Sequence, residues 1–262
     1  MFEDLADLVA SSAPLRAVIG LLLGAVAGSF AATILVRWPE RRSVLRGRSR
    51  CDICHKPLRA WELVPIWSFL AARGRCRRCD APIDPRHFAV ELTAAALGMI
   101  ALVAHGGWLG LVSALLGWWL LLIALLDLQH HWLPDKLTLP LIPLGLAAAW
   151  AGFGPPLLDR AIAAAAGFVL LWLIAFGYRR IRGGEGMGAG DPKLFAALGA
   201  WLGWMLLPFV LLAAGLLGLA AVGLMRARGQ KVTALDRLAL GTLMALPAWP
   251  IWLVVADYSA AV

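Results

Sequence analysis

The chain has 262 residues, of which 61% are hydrophobic and only 15% charged, with 13 tryptophans and a formal net charge of +8. A soluble domain is about 45–50% apolar and about 25% charged, so these proportions exclude a soluble globule, a disordered chain, a collagen-like chain and a small disulfide scaffold. They indicate an integral membrane protein, and the expected fold class is all-α and polytopic.

A bilayer core needs about 20 apolar residues per helix, and eight candidate spans follow one another: 14–36, 87–104, 108–127, 137–153, 157–178, 194–206, 207–225 and 238–258. The first follows acidic Glu3, Asp4 and Asp7 rather than a basic stretch, and it is too long for a cleavable signal peptide. Next comes the connection 37–86, which holds 13 of the 24 basic residues and all four cysteines. It is long enough for a small subdomain but too short to bury a core unaided. Inside it, 61–72 is an apolar run of 12 residues interrupted by Pro65, which predicts a short helix packed on the subdomain or lying at the interface.

The cysteines stand as Cys51-x2-Cys54 and Cys76-x2-Cys79. Each CxxC turn lets two thiolates meet one ion, and two such turns complete a tetrahedral site. Bound zinc would add folding energy that a small loop lacks. Disulfides are the poorer reading for a basic loop on the reducing side of a membrane. A thioredoxin-like redox pair would need only one CxxC and a βαβ context. His55 is expected to be a bystander to a shell already closed by sulfur.

Carboxylates at membrane depth are costly, and each is a functional candidate. Asp127 ends the third span after the apolar run LLIALL, and Asp191 opens the sixth after the glycine-rich stretch 183–190. Two aspartates at one depth can share a proton, one activating water while the other protonates a carbonyl, which is aspartic-protease chemistry. The bland readings are a helix start for Asp191 and, for Asp127, an interfacial acid paired with Lys136 or a nearby histidine. Asp135, after Pro134, reads as a helix cap and is a third candidate. Glu91 is expected to pair with a loop arginine or face a polar pocket, and His130 and His131 to lie at the interface. The sixth and seventh spans run together around Pro208.

Eight spans put both termini on one side. The connections on the other side, 37–86, 128–136, 179–193 and 226–237, hold 22 of the 24 basic residues and leave only Arg16 and Arg160 opposite. The positive-inside rule then places those connections in the cytoplasm. This distribution reports topology rather than nucleic-acid binding, since no RNA- or DNA-binding pattern accompanies it. A transporter would want its polar site nearer mid-membrane.

GEGMGAGDPKLFAALGAWLGW (184–204) resembles the GxGD signature of the type IV prepilin leader peptidase/N-methyltransferase family, bifunctional enzymes of bacterial inner membranes. ALLDLQHHWLPDKLTLP (124–140) is similar to that family's first-aspartate segment, and VPIWSFLAARGRCRRC (64–79) to its cytoplasmic zinc loop. Gly28-Ser29-Phe30 and Arg37-Trp38-Pro39 resemble its N-terminal motif, so the likeness runs in order through nearly the whole chain. There are departures: Ala31-Ala32 replaces Leu-Asn, Gln129 replaces an acid, and Leu240-Gly241-Thr242 stands where the family usually has Phe-Gly-Pro.

The resemblance implies an aspartic peptidase that removes leaders from type IV prepilins or type II secretion pseudopilins, with Asp127 and Asp191 as the catalytic pair and Cys51, Cys54, Cys76 and Cys79 as zinc ligands. It further implies N-methylation of the new N-terminus by S-adenosylmethionine, with Gly74 contributing to that site. The domains expected are 1–36, an N-terminal segment and first span; 37–86, a zinc-binding and methyltransferase loop; and 87–262, a peptidase core. The expected partners are the precursor and membrane lipid, with no signal for oligomeric state. The competing functions are a non-catalytic zinc-stabilised assembly factor and a different GxGD intramembrane protease.

Overall fold

A computed structural model describes residues 12–44, 49–51, 53–183, 187–230 and 238–257. Among these residues the protein is helical, with no strand beyond two isolated bridges. Helix α1 is Ala13–Arg37; a 3₁₀ turn follows at Ala60–Leu63, then α2 (Trp67–Ala71), α3 (Pro85–Ala104), α4 (Gly107–His130) and α5 (Asp135–Trp150). The chain continues through α6 (Leu157–Arg182), α7 (Asp191–Leu202), α8 (Leu207–Ala227) and α9 (Leu240–Val255). Each expected span overlaps one of these helices, but the sixth ends at Leu202, and the break before α8 falls at 203–206 rather than around Pro208. Five of them, α1, α3, α4, α6 and α8, are long and apolar enough to cross a membrane. Helices α5, α7 and α9 are shorter, at 16, 12 and 16 residues. The apolar run 61–72 is split at Pro65 into the 3₁₀ turn and α2, as its proline requires.

Local chemistry sets the ends. Ser12 caps α1 by accepting from the Leu15 N–H, and Asp84 caps α3 by accepting from the Arg86 N–H at 2.8 Å, each with a proline in the first turn. Gly183 ends α6 in the left-handed region, and Gly203, at φ +77°, ends α7.

Two compact units divide between Trp118 and Trp119, inside α4. In the first, α1 lies against α3 with almost nothing between the backbones. A Cβ placed on Gly20 would be 2.3 Å from the Gly98 carbonyl oxygen, one on Gly24 would be 2.2 Å from that of Ala94, and one on Gly28 would be 2.7 Å from Glu91 Cα. The four-residue spacing of these glycines puts them on one helix face, the close-approach pattern of membrane helices. Trp118 closes this unit by donating its indole N–H to the Ala94 carbonyl at 2.8 Å.

The second unit is built around α7, whose residues are buried all round except Lys193. A helix apolar on every face has no solvent side, and protein surrounds this one, which is why 12 residues suffice for it. Helices α5 and α6 approach it through glycine: a Cβ on Gly145 would be 2.5 Å from the Ala200 oxygen, and one on Gly199 would be 2.6 Å from that of Ala163. Far along the chain from the acids, Arg160 is fully buried and donates to the carbonyls of Gly145, Pro155 and Phe153, beneath the Trp252 ring.

Candidate active site and metal centre

The four cysteines converge. Their sulfurs all lie within 4.8 Å of one another, and Cys51 Sγ is 3.8 Å from Cys79 Sγ. Sulfurs bound to one tetrahedral zinc at about 2.3 Å stand about 3.8 Å apart, so the cluster has the size that such an ion needs. The two arms share one conformation. In the first, the Cys51 N–H donates to Lys56 O and the His55 N–H to Cys51 O; in the second, the Cys76 N–H donates to Ala81 O and the Asp80 N–H to Cys76 O. The bridges Arg50–Pro57 and Arg75–Pro82 close the two knuckles, and His55 and Asp80 both take positive φ. The main-chain N–H groups of Arg78 and Cys79 draw the Cys76 thiol down to about 7. At Cys79 the Ala81 N–H pulls downward, but desolvation and the bonds to Cys76, Cys54 and Cys51 together push that thiol up to about 11. The cluster therefore holds a graded set of thiols that an ion can deprotonate.

Asp127 and Asp191 lie within the second unit and are both buried. Asp127 sits in the last turn of α4. Its Oδ2 accepts the Thr242 N–H at 2.8 Å, with the Thr242 hydroxyl at 3.3 Å. That hydroxyl donates to the Ala124 carbonyl at 2.8 Å and so fastens the start of α9 to α4. Asp191 is the first residue of α7, and its Oδ2 accepts the Gly188 N–H at 2.9 Å. The two carboxyls are close enough for the Asp127 charge to act on Asp191. Glycines make the approach possible: a Cβ on Gly190 would stand 2.5 Å from Leu133 Cβ, and one on Gly241 would stand 2.8 Å from Leu133 Cδ1 and 3.0 Å from Asp127 Oδ2. Leu133 is thus wedged between the stretches that deliver the two acids.

Other candidates fall elsewhere. Asp135 is not the cap of α5, a place taken by Pro134; it pairs with Lys193 at 2.6 Å instead. Asp127 is held by Thr242 rather than by Lys136 or a histidine. Glu91, buried in the first unit, accepts from the Ile66 N–H at 2.7 Å, with His87 Nε2 at 3.3 Å. The residue it holds, Ile66, has φ +63°, an outlying conformation for a β-branched side chain. Gly74, at φ +67°, leaves room for the Phe69 ring, which a Cβ would meet at 3.2 Å. Gly184, Glu185 and Gly186 lie outside the described residues.

Residues 22–105 match the Bacterial Peptidase A24 N-terminal domain, and residues 114–223 match the Type IV leader peptidase family. A prepilin leader peptidase/N-methyltransferase of Aeromonas salmonicida is 41% identical over 212 residues, covering 80% of this chain and 72% of the relative. Another, from Stutzerimonas stutzeri, is 35% identical over 264 residues, 91% of each chain. The chain belongs to the type IV leader peptidase family. A relative in Neisseria gonorrhoeae, with the same name, is 34% identical over 276 residues, covering 95% of this chain and 93% of the relative. No solved structure matches the chain significantly. The leader peptidase segment contains both Asp127 and Asp191, while the N-terminal segment contains the cysteine cluster and Glu91. Thr242 lies beyond both, and its sequence signal is the departure of Leu240-Gly241-Thr242 from the family's Phe-Gly-Pro.

Proposed function

We propose that this protein removes the leader peptide from type IV prepilins or related pseudopilins by aspartic peptidase chemistry, and then N-methylates the residue so exposed. The observation that carries this reading is two buried carboxylates, 64 positions apart in sequence, brought within electrostatic reach inside the segment that matches the leader peptidase family.

Asp127 and Asp191 work as a pair that shares one proton. The ionised carboxylate takes a proton from water as the water oxygen bonds to the scissile carbonyl carbon. The protonated carboxyl gives its proton to the carbonyl oxygen. Collapse of the tetrahedral diol returns a proton to the second acid, while the first passes its newly gained proton to the leaving amine. Atoms and charge balance, and the pair is ready for another turn.

Zinc is the ion that Cys51, Cys54, Cys76 and Cys79 suit, and four sulfurs leave no open position, so its role is structural. S-adenosylmethionine supplies the methyl group when bound. Glu91 is the buried carboxylate of the first unit among the described residues, suited to a positively charged group, and Gly74 keeps the Phe69 face clear. The loop 37–86, together with Glu91 of α3, thus serves methyl transfer, and the part of 87–262 that carries Asp127 and Asp191 serves proteolysis. The charge distribution supports a place in the bacterial inner membrane with eight crossings, termini in the periplasm, and the acids and the zinc loop at the cytoplasmic face.

The test is mass spectrometry of a prepilin co-expressed with the protein. Loss of the leader and gain of one methyl are expected. Asp127→Asn or Asp191→Asn should reduce cleavage at least about 100-fold while the protein stays folded. Near-normal cleavage by either purified variant would remove that residue from the pair.

A further inference from the structure

The segment 61–70 shows more apolar surface than a connection rich in arginine needs. Trp61, Leu63, Val64, Trp67 and Leu70 are all exposed, and an apolar patch of that kind marks a contact surface. The segment is also anchored from behind. On α2, Phe69 stacks on Phe88 with ring centroids 4.7 Å apart, and the Ile66 N–H reaches Glu91 Oε2 at 2.7 Å. Trp67 and Leu70, three positions apart on the same helix, share the face turned away from Phe69, and each is 58% exposed.

The anchors fix a depth. Phe88 and Glu91 are the fourth and seventh residues of α3, so α2 lies beside the first two turns of that helix, within about 9 Å of its start. The 20 residues of α3 extend about 30 Å, the thickness of a bilayer's hydrocarbon core. Helix α2 therefore stands where acyl chains give way to headgroups, at the end of α3 that follows the arginine-rich connection.

Trp61 joins this face to a hollow of about 240 Å³ lined by Arg59, Trp61, Glu62, Arg77 and Arg78. Glu62 is engaged there, accepting the Arg59 N–H at 2.7 Å and standing 3.8 Å from Arg78. The Arg59 guanidinium lies over the Trp61 ring, 5.0 Å from its centroid. Three guanidiniums against one carboxylate leave the hollow positive, and a guanidinium grips phosphate through two parallel hydrogen bonds. A cationic peptide would be repelled here, and a free phosphate would leave the apolar side chains in water. A phospholipid satisfies both halves, and tryptophan beside basic residues is the composition found at headgroup level.

We propose that this part of the cysteine subdomain is a lipid-docking surface: Trp61, Leu63, Val64, Trp67 and Leu70 enter the boundary of the leaflet, and Arg59, Arg77 and Arg78 hold the phosphate of an anionic phospholipid. The cysteine cluster is thereby seated on the membrane rather than suspended beside it. This goes beyond the peptidase and methyltransferase reading and depends on neither activity.

The test places the full chain in nanodiscs of phosphatidylcholine, with or without phosphatidylglycerol, in the presence of a prepilin. A photo-crosslinker is introduced as Trp67→p-benzoylphenylalanine or Leu70→p-benzoylphenylalanine, and the adducts are weighed by mass spectrometry. Leu22, 65% exposed on α1, takes the same probe as a control and should capture lipid in both membranes. Lipid adducts are expected at 67 and at 70. Their yield should rise at least about threefold with phosphatidylglycerol, because each basic residue near an anionic surface contributes about fivefold. Combining Arg59→Gln, Arg77→Gln and Arg78→Gln should remove that rise and leave the Leu22 adducts unchanged. If the probe at 67 prevents folding, the probe at 70 reads the same face. Adducts to the prepilin or to a second copy of the chain in place of lipid overturn the proposal. So does an unlabelled face beside a labelled Leu22 position, or a yield equal in the two membranes.

Discussion

The glycine ladder between α1 and α3 offers a change that should separate the two activities. A Cβ on Gly24 would lie 2.2 Å from Ala94 O, 2.7 Å from Ala95 Cα and 2.8 Å from Ala94 C. Close carbon–oxygen contacts between helices settle at about 3.3 Å or more, so Gly24→Ala must open this rung by about 1 Å. All three obstructing atoms are backbone, so no side chain can turn aside, and overpacking of this kind costs about 1–3 kcal/mol. The strain falls one turn from Gly28, which lies against Glu91 Cα, and Glu91 in turn holds the Ile66 N–H. Gly24→Ala should therefore lower the melting temperature and reduce methylation. Leader cleavage should persist, because Asp127, Asp191 and Thr242 belong to the other unit. The assay is thermal unfolding in detergent together with the two masses of a co-expressed prepilin, one without its leader and one with a methyl added. Val26→Ala, at a position 62% exposed, is the control and should change stability by less than about 0.5 kcal/mol. Full methylation and unchanged melting in Gly24→Ala would refute the close approach of α1 and α3.

Two further outcomes follow from the metal cluster and the buried arginine. One zinc per chain is expected by metal analysis, Cys51→Ser or Cys76→Ser should lower both folded yield and metal content, and affinity should rise with pH through neutrality. That sign follows because loading displaces protons from thiols such as Cys79, held up to about 11; a flat pH titration would contradict thiolate ligation. Arg160→Met should cost about 3–5 kcal/mol in thermal unfolding, since the carbonyls of Gly145, Pro155 and Phe153 lose their donor together. Cleavage per folded molecule should change little, because Arg160 makes no bond to either acid.

The helices were legible because apolar runs and their caps are local features of sequence. So were the candidate residues: CxxC spacing brings two sulfurs to one turn, and an acid at the end of an apolar run stands out. What escaped notice depends on chain segments meeting. Thr242 stands out in sequence only as a departure from the family's Phe-Gly-Pro, and only the fold brings its N–H to Asp127, 115 positions away. Asp135 follows proline as caps often do, yet the partner that claims it is Lys193, 58 positions on. Helix α7 reads as a short span because hydropathy cannot distinguish burial in lipid from burial in protein. The twin knuckles share the pattern Arg-Cys-x2-Cys-x2-Pro as well as a backbone path, but only the fold shows that each arginine and proline close a bridge.

The α1–α3 ladder also bears on the metal. It joins the two ends of the stretch 38–84, so the knuckles meet inside a ring that helix packing has already closed. Closing a flexible ring costs entropy that grows with the logarithm of its length, and here most of that loss precedes ion capture. Loosening the helices should then weaken zinc retention without touching a single ligand, which makes metal affinity a remote gauge of how tightly two membrane helices grip one another.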